Sequence, residues 1–118
     1  MIKSIIRSQL RRPRTLSNEE LLKIETHIIE IVNSQTSIGQ WFCARDLFGG
    51  DNGDWRKTPL QILYERRYKQ YENHPDQDKK AYNQAAIDLG NILKRILYKS
   101  AKVYEIEQVD WVNQYKQI

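Results

Sequence analysis

The sequence has one cysteine, Cys43, so no disulfide can form within the chain. That usage is typical of a reducing compartment. No apolar run approaches the roughly 20 residues that span a membrane. Near the N-terminus, Arg7 and Arg11 interrupt the apolar residues before they reach the length of a signal peptide. We therefore expect a cytoplasmic protein that does not contact a membrane.

The motifs of common enzymes and metal sites are also missing. The chain has no nucleophile elbow, P-loop, dinucleotide fingerprint or zinc-binding spacing. His27 and His74 stand far apart, and the segment around Asp51 and Asp54 lacks the spacing of a calcium loop. We expect no enzymatic activity, no metal and no cofactor. A nuclease built on Asp46, Asp51 or Asp54 is the enzymatic alternative.

The positive charge is concentrated at the N-terminus. The net charge is +4, but residues 1–14 carry five basic residues and no acidic one, which leaves 14 basic and 15 acidic residues in the rest. Arg11, Arg12 and Arg14 surround Pro13, which favours an extended chain. We expect a basic arm over residues 1–14 and one domain over residues 15–118. The arm either binds nucleic acid or is a terminus with incidental charge.

Two helices are predicted in the first half of that domain. Ser17 and Glu20 form the S-x-x-E pattern of a capping box, and an apolar stripe from Leu21 to Ile31 follows, which predicts a helix over residues 17–34. Residues 37–48 read as a short second helix, with Trp41 facing the first helix and glycines at its end.

Thr58 and Pro59 have the residue types of a helix start, which predicts that the third helix opens at Thr58. Its stripe contains tyrosines, and basic residues surround it. These basic residues are Arg56, Lys57, Arg66, Arg67 and Lys69. Cations interleaved with tyrosines suit phosphate contact and stacking. Alternatively, this is an amphipathic helix whose long side chains extend along the protein surface to water.

The longest helical pattern covers residues 81–102. Its apolar stripe runs through Ala85, Leu89, Ile92 and Ile96. The other face and the C-terminal end carry side chains that can donate to phosphates or base edges, namely Gln84, Asn91, Lys94, Arg95, Tyr98, Lys99 and Lys102. The alternative is that these cations only complement the helix dipole on a solvated surface.

The spacing of the apolar residues changes after this helix. Apolar and acidic residues alternate from Val103 to Glu107, so residues 102–108 are predicted to form a strand. Residues 109–118 fit a short helix or a second strand equally well.

The string QAAIDLGNILKRI, residues 84–96, resembles the helix-turn-helix pattern, with Ala86 four positions before Gly90. The following YKSAKVYEIE is similar to a recognition helix that runs into the first strand of a wing. The resemblance to winged-helix and helix-turn-helix DNA-binding domains covers residues 84–107. It implies a mainly α fold with a small β element, a winged-helix-like domain of three or four helices.

The function that this resemblance implies is a small accessory or regulatory protein that binds nucleic acid. The basic helix would enter the major groove, and the arm and the cations around the third helix would add phosphate contacts. DNA is the expected partner and RNA the alternative. The rival hypothesis is a protein–protein interaction module, either a homodimer or a subunit of a larger assembly, whose tyrosine and tryptophan side chains form an interface.

Deletion of residues 1–14 tests the arm. Since each lost phosphate contact should flatten the log–log salt dependence of duplex DNA binding by roughly 0.9, the truncated chain should show a shallower slope. Titrations at two or more salt concentrations measure this slope. An unchanged slope would show that the arm does not contact the phosphates of DNA. A lower melting temperature of the truncated chain would show that Ile2, Ile5 and Ile6 pack on the domain.

Overall fold

The computed structural model of the protein describes residues 3–4, 16–49, 55–110 and 112–118. The described helices are α1 (Asn18–Gln35), α2 (Ala44–Phe48), α3 (Gln61–Gln70) and α4 (Gln77–Lys99). The described strands are β1 (Lys3–Ser4), β2 (Trp41–Phe42), β3 (Tyr104–Val109) and β4 (Val112–Gln117). A mainly α fold with a small β element is therefore confirmed.

Helix α1 begins at the predicted capping box. The Glu20 N–H donates to Ser17 Oγ at 3.2 Å, and the Ser17 N–H donates to Glu20 Oε1 at 3.0 Å. These two bonds satisfy backbone donors that would otherwise lack a partner in the first turn. Behind the cap, Leu21, Ile24 and Ile28 are buried, as the apolar stripe predicted.

The strands form one antiparallel sheet in the order β1-β3-β4-β2. Strands β3 and β4 make a hairpin in which Ile106 pairs with Tyr115 and Val109 pairs with Val112. The predicted strand over 102–108 thus lies at 104–109, and the ambiguous tail is a strand. Strand β1, within the predicted arm, pairs with β3 at one edge, and β2 pairs with β4 at the other.

The helix predicted over residues 37–48 is wrong in its first half. Gly39 has a φ of +82°, a conformation that suits glycine and interrupts a helix. Trp41 and Phe42 then pair with Lys116 and Tyr115 of β4. Only Ala44–Phe48 is helical, and the Cys43 N–H donates to Asp46 Oδ2 at 3.0 Å at its start. Trp41 does not belong to the core cluster that contains the buried residues of α1, and Lys116 Nζ lies 4.8 Å from the centre of its ring.

The third helix starts three residues later than predicted. The Gln61, Ile62 and Leu63 N–H groups each donate to the carbonyl three residues back, so the segment before α3 is a tight turn. Thr58 contributes there, since its hydroxyl accepts from the Leu60 N–H at 3.2 Å and donates to the Trp55 carbonyl at 3.0 Å.

Helix α4 is continuous through Gly90. The chain therefore makes no turn where the helix-turn-helix pattern places one, and that part of the resemblance is wrong. The helix ends at Lys99, with the Ser100 N–H bonded to the Ile96 carbonyl. The buried residues of α4 extend from Ala81 to Leu97, so one face packs along nearly its whole length.

The core lies between α1, α4 and the inner face of the sheet. Ile24 and Ile28 of α1 and Ile92 and Leu93 of α4 are fully buried. Phe42, Tyr104 and Tyr115 bring the sheet into the same cluster. Burial of this kind raises the pKa of the Tyr115 and Tyr104 hydroxyls. Among the described helices, none has the length and apolar character needed to cross a membrane.

Ser17→Ala should lower the free energy of unfolding by about 0.5–2 kcal/mol, because the Glu20 N–H loses its side-chain acceptor. Urea denaturation measures the change. Ser34→Ala is the matched control, since the Ser34 hydroxyl only donates to the Ile31 carbonyl within the same helix, and alanine is the better helix former. An equal loss in both variants would contradict the capping account.

Candidate nucleic-acid interface

Two arginines that were predicted to contact phosphates join helices to each other. Arg66 donates to Glu20 of α1, with Nε 3.0 Å from Oε2. Arg67 donates to Asp88 of α4 through two bonds, from Nε to Oδ2 at 2.7 Å and from Nη2 to Oδ1 at 2.8 Å. Both guanidinium groups are thus bound to carboxylates of the protein itself.

Asp88 was not among the predicted site residues, although its position in the sequence indicates an unusual environment. It lies three residues after Ala85 and four before Ile92, within the apolar stripe of α4. The structure buries it to 3% exposure. A buried carboxylate needs a cationic or hydrogen-bonding partner, and Arg67 supplies both bonds. A charged residue inside an apolar stripe is therefore a signal to look for a buried ion pair.

The ion pairs shift the pKa values of their members. The hydrogen bond from Arg66 lowers the pKa of the Glu20 carboxyl, and the Ser17 backbone adds to this effect. The hydrogen bonds to Asp88 raise the pKa of the Arg67 guanidinium. These shifts favour the charged forms, so Glu20 and Arg67 stay ionised at neutral pH.

The tyrosines of α3 also contact other side chains of the protein. The Tyr64 hydroxyl donates to Asp78 of α4, and its ring lies 5.6 Å from that of Tyr68. Desolvation together with Asp78 raises the pKa of Tyr64 to about 12. Trp55 stacks on Tyr82 with the ring centres 5.9 Å apart. Tyr68 keeps 42% of its surface exposed. Of the predicted cations near this helix, Arg56 and Lys57 are exposed in the turn that precedes it.

The outer face of α4 carries five of the predicted side chains. Gln84, Asn91 and Tyr98 repeat at intervals of seven residues and span about 21 Å, since an α-helix rises by about 1.5 Å per residue. Lys94 and Arg95 lie between the last two. Tyr98 is 41% exposed, whereas the other four side chains are only partly exposed. The face is therefore less open to solvent than the sequence suggested.

Arg95 differs from the other arginines of this region. Its Nη1 atom is buried and has no hydrogen-bond partner among the residues that the structure describes. A guanidinium nitrogen normally has a hydrogen-bond partner when it is buried. An anion that reached this side chain would supply the missing acceptor.

Lys99 is the last residue of α4, Lys102 lies three residues beyond it, and both are exposed. Lys102 Nζ is 3.5 Å from Asn33 Oδ1, a long hydrogen bond to a neutral group. Within the described part of the chain, neither lysine forms an ion pair. These two lysines are therefore the most accessible of the predicted cations on and directly after α4.

Several predicted residues are outside the described part. Arg11, Arg12 and Arg14 of the arm and Asp51 and Asp54 lie among the residues that the structure does not describe. Among the described residues, no group of three or more His, Cys, Asp or Glu side chains could hold a metal ion.

Comparisons with known proteins found no relative of the chain. No protein-family model matches the chain, and neither a curated protein nor a solved structure is significantly similar to it.

The Arg67–Asp88 pair should be more important for stability than the neighbouring Arg66–Glu20 pair. Arg67→Ala leaves an Asp88 carboxylate with a side-chain exposure of 5% and no ionic partner, so the loss should be about 3–5 kcal/mol. Arg66→Ala is the matched control, because Arg66 is 44% exposed and such pairs contribute about 0–1 kcal/mol. Urea denaturation of both variants measures the difference, and equal losses would contradict the role of burial.

Proposed function

We propose that the protein is a small accessory or regulatory factor that binds nucleic acid, DNA in the first place, through the C-terminal half of α4. The observation that carries this proposal is the distribution of the cations. Arg66 and Arg67 are paired with carboxylates, whereas Lys99 and Lys102 are exposed and form no ion pair with a described residue. No acidic residue occurs between Asp88 and Glu105.

The order of the elements supports a winged-helix-like interpretation. A long helix, α4, runs into the β3–β4 hairpin, which has the two strands of a wing. The short strand β2 follows α1 and joins the hairpin at its β4 edge. The continuous helix at Gly90 leaves the helix-turn-helix string without support, so the proposal rests on the helix–hairpin arrangement and on charge.

The exposure of the side chains indicates the mode of binding. Gln84 and Asn91, the residues best suited to read adenine, are partly buried, while Lys99 and Lys102 are exposed. Contacts to phosphates should therefore contribute more than contacts to base edges. We expect binding that tolerates changes of sequence and weakens steeply with salt.

A protein interface on α4 is the second candidate, and one observation favours it. Ile87 keeps 54% of its surface exposed between Gln84 and Asn91, and Tyr98 keeps 41% further along the same face. Exposed apolar and aromatic side chains on a helix face are typical of interfaces. A second copy of the chain would cover them in a homodimer.

The double variant Lys99→Gln, Lys102→Gln should weaken binding to mixed-sequence duplex DNA by more than tenfold, or about 1.4 kcal/mol. The salt slope should fall by roughly 1.8 if both lysines contact phosphates. Fluorescence anisotropy at several salt concentrations measures both quantities. The matched control is Lys79→Gln, Lys80→Gln, which removes the same charge from exposed positions at the other end of α4.

Equal weakening by both double variants would show that only net charge matters and would refute an interface at the end of α4. Absence of binding by the unaltered protein to DNA or RNA at low salt would refute the nucleic-acid proposal. Light scattering on Ile87→Asn then tests the second candidate, since a change from dimer to monomer would assign this face to a protein interface.

A further inference from the structure

A cavity of about 370 Å³ lies where the second half of α1 meets the last turn of α4 and the start of β3. Much of its wall is apolar, formed by Ile29, Val32, Ile96, Leu97 and Tyr104. The polar side chains at its edge are Glu25, Asn33, Lys99, Ser100 and Lys102. This size, with an apolar wall and a few polar groups, is typical of sites for small molecules.

The apolar wall is continuous with the hydrophobic core. Val32 and Leu97 are 3% and 2% exposed, so the inner part of the cavity is lined by core side chains. Ile29 also lines the cavity but keeps 42% of its surface exposed, so the cavity opens to solvent beside it. An apolar group that entered here would be removed from water against residues that are already buried, and its burial would be favourable.

The charges at the edge favour an anion. Lys99 and Lys102 contribute two positive charges, against one negative charge from Glu25 and roughly half a negative charge from the C-terminus of α4. Lys102 has three N–H donors, and its described hydrogen bond is the 3.5 Å contact with Asn33 Oδ1. A carboxylate beside Lys102 would accept a shorter, charge-assisted bond.

We propose that this cavity binds a small molecule with an apolar body and one carboxylate. The apolar body lies between Ile29 and Leu97, and the carboxylate lies at the edge beside Lys102 and Lys99. The two lysines at the edge also belong to the proposed contact with nucleic acid, but the apolar wall does not, and the existence of the cavity does not depend on that function.

Octanoate is a suitable probe, and octylammonium, which has an apolar chain one carbon longer and the opposite charge, is its comparison. Each is titrated into the full chain below its micelle-forming concentration, and amide chemical shifts in ¹⁵N–¹H spectra report the binding. We expect saturable octanoate binding with shifts at α1 and at residues 96–104, and weaker octylammonium binding by roughly tenfold.

Two charge variants should change the affinity for octanoate in opposite directions. Lys102→Gln should weaken octanoate binding by roughly three- to tenfold, because it loses a charged donor. Glu25→Gln should strengthen it, because it removes a like charge from the edge. Lys23→Gln is the control, since Lys23 is exposed on the same helix as Glu25 but does not line the cavity.

Ile29→Trp should abolish octanoate binding by filling the mouth of the cavity. If this variant does not fold, the charge variants still decide, since Lys102 is exposed and Glu25 is only partly buried. Equal affinities for octanoate and octylammonium, or the same direction of change in Lys102→Gln and Glu25→Gln, would refute the proposal. Shifts spread over the whole protein without saturation would refute it as well.

Discussion

The ion pair between Arg67 and Asp88 is the contact on which the packing of α3 against α4 depends. It joins α3 to α4 through two hydrogen bonds, and Asp88 is almost fully buried. Removal of a carboxylate from water is costly unless a partner restores its hydrogen bonds and compensates its charge. Other packings of α3 on α4 would leave Asp88 without that partner, and they are disfavoured for this reason. The Tyr64–Asp78 contact also joins α3 to α4, and Trp55, in the segment before α3, stacks on Tyr82 of α4.

Local signals predicted the parts of the fold that depend on nearby residues. The capping box at Ser17 lies within four consecutive residues, and the stripe that ends at Ile31 lies within one helix, so sequence alone was sufficient for both. The strand Trp41–Phe42 was not predictable in this way, because its partner in β4 lies more than seventy residues further along the chain. The pairing of Arg67 with Asp88 could not be predicted for the same reason. Side chains 21 positions apart meet only after α3 and α4 have folded back on each other.

The same distinction explains what the sequence could say about the candidate site. Clusters of basic residues were visible on α3 and α4, but the sequence could not show which of them bind carboxylates. The structure separates them by burial and by partner. Arg67 is bound to a buried acid, whereas Lys99 and Lys102 are exposed at the end of α4. Net charge around a helix is thus a poor measure of the charge available to a partner, and the exposed, unpaired fraction is the useful quantity.

Lys99 and Lys102 belong both to the proposed nucleic-acid contact and to the edge of the cavity. The ammonium group of one lysine cannot lie beside two anions in different places at the same time. A carboxylate in the cavity and a phosphate on the surface would therefore compete for it. Linkage requires the effect to be reciprocal: a ligand that weakens binding to nucleic acid must itself be weakened by nucleic acid to the same extent. The size of this coupling is limited by the charge–charge contacts that the two ligands share. A ligand whose binding depended mainly on the apolar wall around Leu97 would therefore affect nucleic-acid binding only slightly, whereas one held chiefly through its carboxylate would oppose it strongly.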